Sequence, residues 1–230
     1  MVSPHLDDAV LSCWHALRAP ATGRLVTAFA GVPAPGTPPS AWDLLTGGEE
    51  PGPRVLRRRA EDHRALAGTG CEPVHLDFVG AVHRGAALDP AALRTALAEA
   101  IGAGDPVYVP AAIGGHPDHV ATRDAALAVC ADRRVLLYAD QPYAVRFGWP
   151  AWVGGRAPAG GLDVDRWLGA QLAALTPGPP EVVRLEGTAR AAKVRAVVEY
   201  RSQLAALTAS AGHDFPNGPE WGYEVIWPLC

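Results

Sequence analysis

A chain of 230 residues with 49% hydrophobic and 19% charged residues has enough apolar material for one sizeable core. That excludes disorder of the whole chain and favours a single domain over 1–230. The net charge of −4 is too mild and too mixed for a face that grips nucleic acid. No apolar run approaches the ~20 residues of a membrane span. No leader-like segment precedes Ser3-Pro4-His5-Leu6-Asp7-Asp8. The expectation is a soluble, cytoplasmic protein without a nucleic-acid partner and without a membrane span.

Met1 and Val2 leave room for only a stub of a first strand, unless the chain begins upstream. After Asp8, Val10, Leu11, Trp14 and Leu17 share one helical face. A β-like run follows at Arg24 to Phe29, then a Pro- and Gly-rich stretch from Gly31 to Pro53 that carries Trp42. The next β-like run is Pro73 to Phe78. Leu93, Leu97 and Ile101 recur every four residues after Pro90, which suits a helix start. Val107 to Val109 reads as a strand, and a helix through Ala121, Ala125 and Ala128 follows His119. Val135 to Tyr138 is another strand. Gln141 to Pro180 breaks the rhythm and holds Trp149, Trp152 and Trp167. Val182 to Leu185 is the last predicted strand, before a helix over about Thr188 to Leu207 with Val194, Val197, Val198 and Leu204 inward.

Strands alternating with helices of this length predict an α/β, Rossmann-like fold: a mostly parallel sheet flanked by helices, with long substrate-side loops. The 25 glycines and 22 prolines agree with the long loops. Cys13, Cys71, Cys130 and Cys230 show no CxxC or zinc-finger spacing; three of them sit in apolar periodic stretches and read as small buried hydrophobes, and a disulfide framework is not expected.

Two clusters carry possible chemistry. Pro4-His5-Leu6-Asp7-Asp8 lies between the stub strand and the first helix, and Gly114-Gly115-His116-Pro117-Asp118-His119 between the Val107 strand and its helix. Strand-to-helix turns of a parallel sheet gather at its carboxyl edge, so a separation of roughly 110 residues collapses to contact. Together the clusters offer three His and three Asp, donors that suit Zn²⁺. A catalytic zinc takes three protein ligands and leaves one position open. The side chains of Asp7 and Asp8 diverge, so one can ligate while the other faces a water. The same holds for His116 and His119, with Asp118 available to orient an imidazole. An isolated Asp pair would serve equally well as a helix cap. The coincidence of two such clusters on one sheet edge favours a metal site.

Ser3-Pro4-His5-Leu6-Asp7-Asp8-Ala9-Val10-Leu11-Ser12-Cys13, paired with Gly115-His116-Pro117-Asp118-His119, resembles the PIG-L or LmbE-like superfamily of GlcNAc-phosphatidylinositol and mycothiol-pathway deacetylases. Trp42-Asp43, Arg58 to Asp62, Leu76-Asp77, Tyr138 to Tyr143 and Lys193 to Gln203 also fall in family order. Leu6 and Ala9 depart from the common Pro and Glu, and neither is a ligand position. The resemblance implies that His5, Asp8 and His119 ligate Zn²⁺, with Fe²⁺ as an alternative occupant. It makes Asp7 the general base. His116 would polarise the carbonyl oxygen or protonate the leaving amine, Asp118 would orient it, and Arg58 would contact substrate hydroxyls.

The implied activity is removal of an acetyl group from an N-acetylglucosaminyl moiety on a small glycoconjugate or secondary-metabolite intermediate. Two other readings remain: an amidase for a longer N-acyl or thioether-conjugate amide, and a sugar-binding protein without turnover, which would have no use for Asp7. The loops bearing Trp42, Trp149 and Trp152 are expected to set substrate choice.

Overall fold

The computed structural model describes residues 1–19, 23–148, 162–211 and 215–229. Strands β1 (Val2–Ser3), β2 (Gly23–Thr27) and β3 (Cys71–His75) pair in parallel in that order. β4 (Val107–Pro110) and β5 (Val135–Tyr138) also pair in parallel. β7 (Tyr223–Pro228) is antiparallel to both β5 and the outer strand β6 (Glu181–Arg184). β1 lies beside β4, and the Tyr138 hydroxyl donates to the Val2 carbonyl at 3.0 Å. Strand order therefore runs outward in opposite directions from β1 and β4. Their carboxyl ends form the switch point where such sheets bind ligands.

Alternation along the strands sorts the core onto two faces. Leu25 and Val26 are neighbours on β2, yet they join different apolar clusters. Val26 packs with Leu93 and Leu97 of α5 (Pro90–Ala100) and Ala125 and Ala126 of α6 (Pro117–Val129). Leu25 packs with Val10 and Leu11 of α1 (Asp8–Ser12), Trp14 and Leu17 of α2 (Trp14–Leu17), and Ala196 and Val197 of α8 (Gly187–Val197). The expected α/β architecture with helices on both faces is present, as a three-stranded parallel sheet beside a four-stranded sheet that is parallel at β4–β5 and antiparallel around β7.

Several elements differ from the sequence reading, each for a local reason. The helix expected after Asp8 breaks at Cys13 into α1 and α2. There the backbone N–H groups of Trp14 and His15 donate to the Glu224 carboxylate at 2.9 and 3.0 Å instead of to the preceding turn. Lys193 Nζ and His15 Nδ1 complete the same carboxylate at 2.8 and 2.7 Å. The predicted 188–207 helix is α8 followed by α9 (Arg201–Ala211), interrupted where buried Tyr200 donates its hydroxyl to Asp62 at 2.6 Å. The stretch read as loop from Gly31 to Pro53 contains α3 (Ala41–Leu45) and the start of α4 (Pro51–Ala65). The stretch from Gln141 to Pro180 contains α7 (Val164–Gln171), whose Trp167 packs on the core.

Cys13, Cys71 and Cys130 are unpaired thiols, as the spacing predicts, and Cys230 lies outside the described residues. No helix among the described residues is long and apolar enough to cross a membrane.

Candidate metal centre and substrate cavity

The loop after β1 and the N-terminus of α6 meet at the switch point. Gly114 and Gly115 both take positive φ, +83° and +72°, which side-chain-bearing residues rarely adopt. That turn delivers His116 as the N-cap of α6, its Nδ1 accepting the Asp118 N–H at 3.2 Å. Pro117 occupies the first helical position, where its missing N–H costs nothing. His119, predicted to precede the helix, sits in its first turn and is fully buried.

The three imidazoles of His5, His116 and His119 form a triangle with ring centroids 5.1–5.2 Å apart. One nitrogen from each lies within 4.8 Å of the others. Asp8 enters the same space: its Oδ2 is 3.1 Å from His5 Nδ1 and 3.2 Å from His119 Nε2. Donor atoms of a tetrahedral zinc with bonds near 2.0–2.1 Å stand ~3.3 Å apart, so this spacing is that of a ligand shell. His119 Nε2 is buried, and although it is close to Asp8 it makes no aligned hydrogen bond. A buried polar atom left in this way is the signature of a site built for another partner. His5, Asp8 and His119 thus fit a zinc-type cation, and His116 is the fourth group around them.

His119 Nδ1 bonds Asp140 Oδ1 at 2.6 Å, and the Ile113 N–H donates to the other oxygen at 3.2 Å. This carboxylate fixes which nitrogen of His119 faces the centre, the usual arrangement behind a metal-bound histidine. The sequence reading missed Asp140 as a site residue. Its signal is its place just after β5, on the same carboxyl edge as the two clusters. Tyr143 was missed as well; its ring meets that of His119 at 5.0 Å and lines the cavity.

The electrostatics follow the contacts. Burial opposes charge on His119, but Asp8 and Asp140 overcome it and raise the imidazole to about 10. Burial also opposes charge on His5, which bonds to Asp118 and Asp8 nevertheless raise above its ordinary value. Between the two imidazoles, Asp8 is held well below the usual carboxylate range despite its burial. His116 is pushed down to about 4 by burial and by the neighbouring His5 and His119. Burial raises Asp7 above an ordinary aspartate, with Arg58 Nη2 at 3.3 Å from Oδ1 opposing the rise.

Asp118 takes a different position from the one expected. The sequence reading pairs its carboxylate with His116, whereas only its backbone N–H reaches that ring. The side chain projects instead from the first turn of α6 to His5 Nε2 at 3.1 Å. It also accepts the Ala81 N–H at 2.8 Å and Arg84 Nη1 at 3.1 Å. These donors hold it down to about 2 although burial alone would raise it.

Asp7, Asp8, His5, His116 and Arg58 all open onto one cavity of about 330 Å³, the lower part of the range for small-molecule sites. Trp42 lines it too, its indole N–H donating to Gln203 at 2.7 Å. Trp149 and Trp152 lie outside the described residues.

Residues 1–130 match the PIG-L family, GlcNAc-PI de-N-acetylase, over more than half of the chain. The chain belongs to that family. It is similar to the 2'-N-acetylparomamine deacetylase of Streptomyces fradiae, with 36% identity over 166 residues; the match covers 63% of this chain but only 57% of that relative. Among solved structures it is similar to the A40926 pseudoaglycone deacetylase, with a TM-score of 0.74 and 31% identity over 100% of this chain and 95% of that one. It is likewise similar to a zinc-inhibited form of teicoplanin deacetylase, with a TM-score of 0.71 and 28% identity over 100% and 96%.

Proposed function

We propose that this protein is a zinc-dependent N-deacetylase that removes the acetyl group from an N-acetylated amino sugar, such as an N-acetylglucosaminyl group, on a small glycosylated metabolite. The observation that carries the reading is the meeting of His5, Asp8 and His119 around one point, with Asp7 and His116 beside it on the cavity wall. The family and the deacetylases it resembles on sugar-bearing antibiotics support the substrate class.

In this reading His5, Asp8 and His119 hold the cation. Bound zinc supplies a Lewis acid that brings a water toward ionisation near neutral pH, ~7. Asp7 receives the water proton as the acetamide carbonyl is attacked. Its buried carboxyl is a better base than an exposed aspartate, because burial disfavours its charge. Arg58 keeps Asp7 in place and presents its remaining N–H groups to substrate hydroxyls; its Nε is buried without a hydrogen-bond partner. His116, with Nδ1 turned to its own helix, offers Nε2 to the carbonyl oxygen or the departing amine. Asp118 orients His5 rather than His116. The products are acetate and the free amino sugar conjugate.

The test is mass spectrometry on a panel of N-acetylated amino-sugar conjugates. The expected result is the loss of one acetyl group, 42 mass units (C₂H₂O), from at least one of them, with acetate released in equal amount. A panel on which only longer N-acyl groups are removed would favour the second amidase reading. Binding without any mass change would favour the sugar-binding reading.

A further inference from the structure

The cavity has a second polar centre that the metal chemistry does not use. Asp43 on α3 is buried, and its Oδ2 accepts from Ser40 N–H at 2.7 Å, Ser40 Oγ at 2.6 Å and His83 Nε2 at 2.6 Å. Arg54 of α4 lies 3.1 Å from Oδ1 and is itself buried. A carboxylate so supplied with donors is ionised, and it is held below the usual range despite burial. An ionised Asp43 can only accept from His83 Nε2, and in the neutral imidazole that tautomer leaves Nδ1 as an acceptor. Nδ1 makes no hydrogen bond among the described residues, and the ring lines the cavity.

The ring's position is fixed at both ends of its loop. Ala81 N–H and Arg84 bind Asp118 on the metal side, while His83 binds Asp43 on the α3 side. His83 and Asp7 line the same cavity, and its volume of about 330 Å³ is at the small end for a ligand site. A substrate seated at Asp7 therefore brings the ring that bears its acetamide, rather than a distant aglycone, against His83.

We propose that His83, oriented by Asp43, is a specificity-determining residue: its Nδ1 accepts a hydroxyl of the same sugar ring that bears the acetamide. The inference rests on the deacetylase reading and deepens it by naming the contacted group. A site built to bond a hydroxyl discriminates against analogues that lack it, because its own polar atom is then left unpaired.

The experiment compares an accepted N-acetylglucosaminide with its 3-, 4- and 6-deoxy analogues. The proteins are wild type, His83→Gln, which keeps an amide donor toward Asp43 but lacks an atom at Nδ1, and His83→Asn, which keeps a polar atom near Nδ1. Wild type is expected to lose about fivefold to tenfold in kcat/KM on one deoxy analogue, the worth of one neutral hydrogen bond. His83→Gln should lose the same factor on the parent, mainly in KM, and lose nothing further on that analogue. His83→Asn should keep part of the discrimination, and both variants should retain the metal content of wild type. An equal penalty on the parent and every deoxy analogue, or metal loss in His83→Gln, would overturn the inference. A wild-type enzyme that cleaves no member of the panel would sink the deacetylase reading, and this inference with it.

Discussion

At the residue scale, the two ring nitrogens of His119 serve opposite ends: Nδ1 is bound by Asp140 at 2.6 Å, and Nε2 faces Asp8 without an aligned bond. Asp140→Asn weakens the hold on the imidazole without touching the centre itself. Its affinity for Zn²⁺, read by competition with a chromophoric chelator, should fall ~10–100-fold with the fold retained. An unchanged affinity would mean that the Asp140 bond is structural only. Asp7 and Asp8 separate in the same way. Asp7→Asn should cost ~10²-fold or more in kcat and keep the metal, whereas Asp8→Asn should lose the metal. If the outcomes are exchanged, the two roles are exchanged. The clusters at residues 5–8 and 116–119 were legible in the sequence because several donors stand together in each. Asp43 and Asp140 fell within segments in family order but drew no role, and His83 and Arg84 drew none either, because each acquires its role only through contacts across the fold.

At the scale of elements, β2, β4, β5 and α5 were legible because their buried positions are apolar, whereas β7, which inserts between β5 and β6, was not predicted: its run carries the buried Glu224 among its apolar residues. α4 was not, and the reason is physical. Its buried side includes Arg54, which donates to the Thr46 and Ser202 carbonyls beside the Asp43 carboxylate, Glu61, which accepts from Ser202, and Asp62, which accepts from Tyr200. A helix that buries polar groups in pairs leaves no hydrophobic period to read. Glu224 on β7 does the same for α2 and α8. Burial alone would raise its carboxyl, but Lys193 and His15 bring it from the ordinary 4.5 to about 2. A carboxyl depressed in the folded state stabilises fully above about 4.5, and that contribution is lost as pH falls toward 2. Glu224→Gln leaves Lys193 buried without its counter-charge, which should cost ~3–5 kcal/mol in urea unfolding at pH 7. The variant's stability should also fall less steeply than that of wild type between pH 4.5 and 2. Parallel profiles would show that Glu224 does not govern the acid limb.

Over the whole molecule, the reversal of strand order between β1 and β4 places the site, and the loops around α3 and residues 79–84 complete the cavity wall. The first was foreseeable from alternating strands and helices. The second was not, since a loop's path is set by what it bonds rather than by its own pattern. Trp42→Ala should raise KM for a large conjugate while free N-acetylglucosamine is little affected, because a truncated substrate never had the contact. Equal losses on both would assign Trp42 to holding α3 against α9 through Gln203.

Metal-dependent deacetylation is read from acetate release by an accepted N-acetylated amino-sugar conjugate, followed through chelation and restoration of Zn²⁺. Release should cease when the metal is stripped and return on add-back of about one equivalent per chain, with Asp7→Asn silent throughout. Acetate release that persists in a metal-free protein, or that Asp7→Asn leaves intact, would rule out hydrolysis at a zinc centre with Asp7 as base.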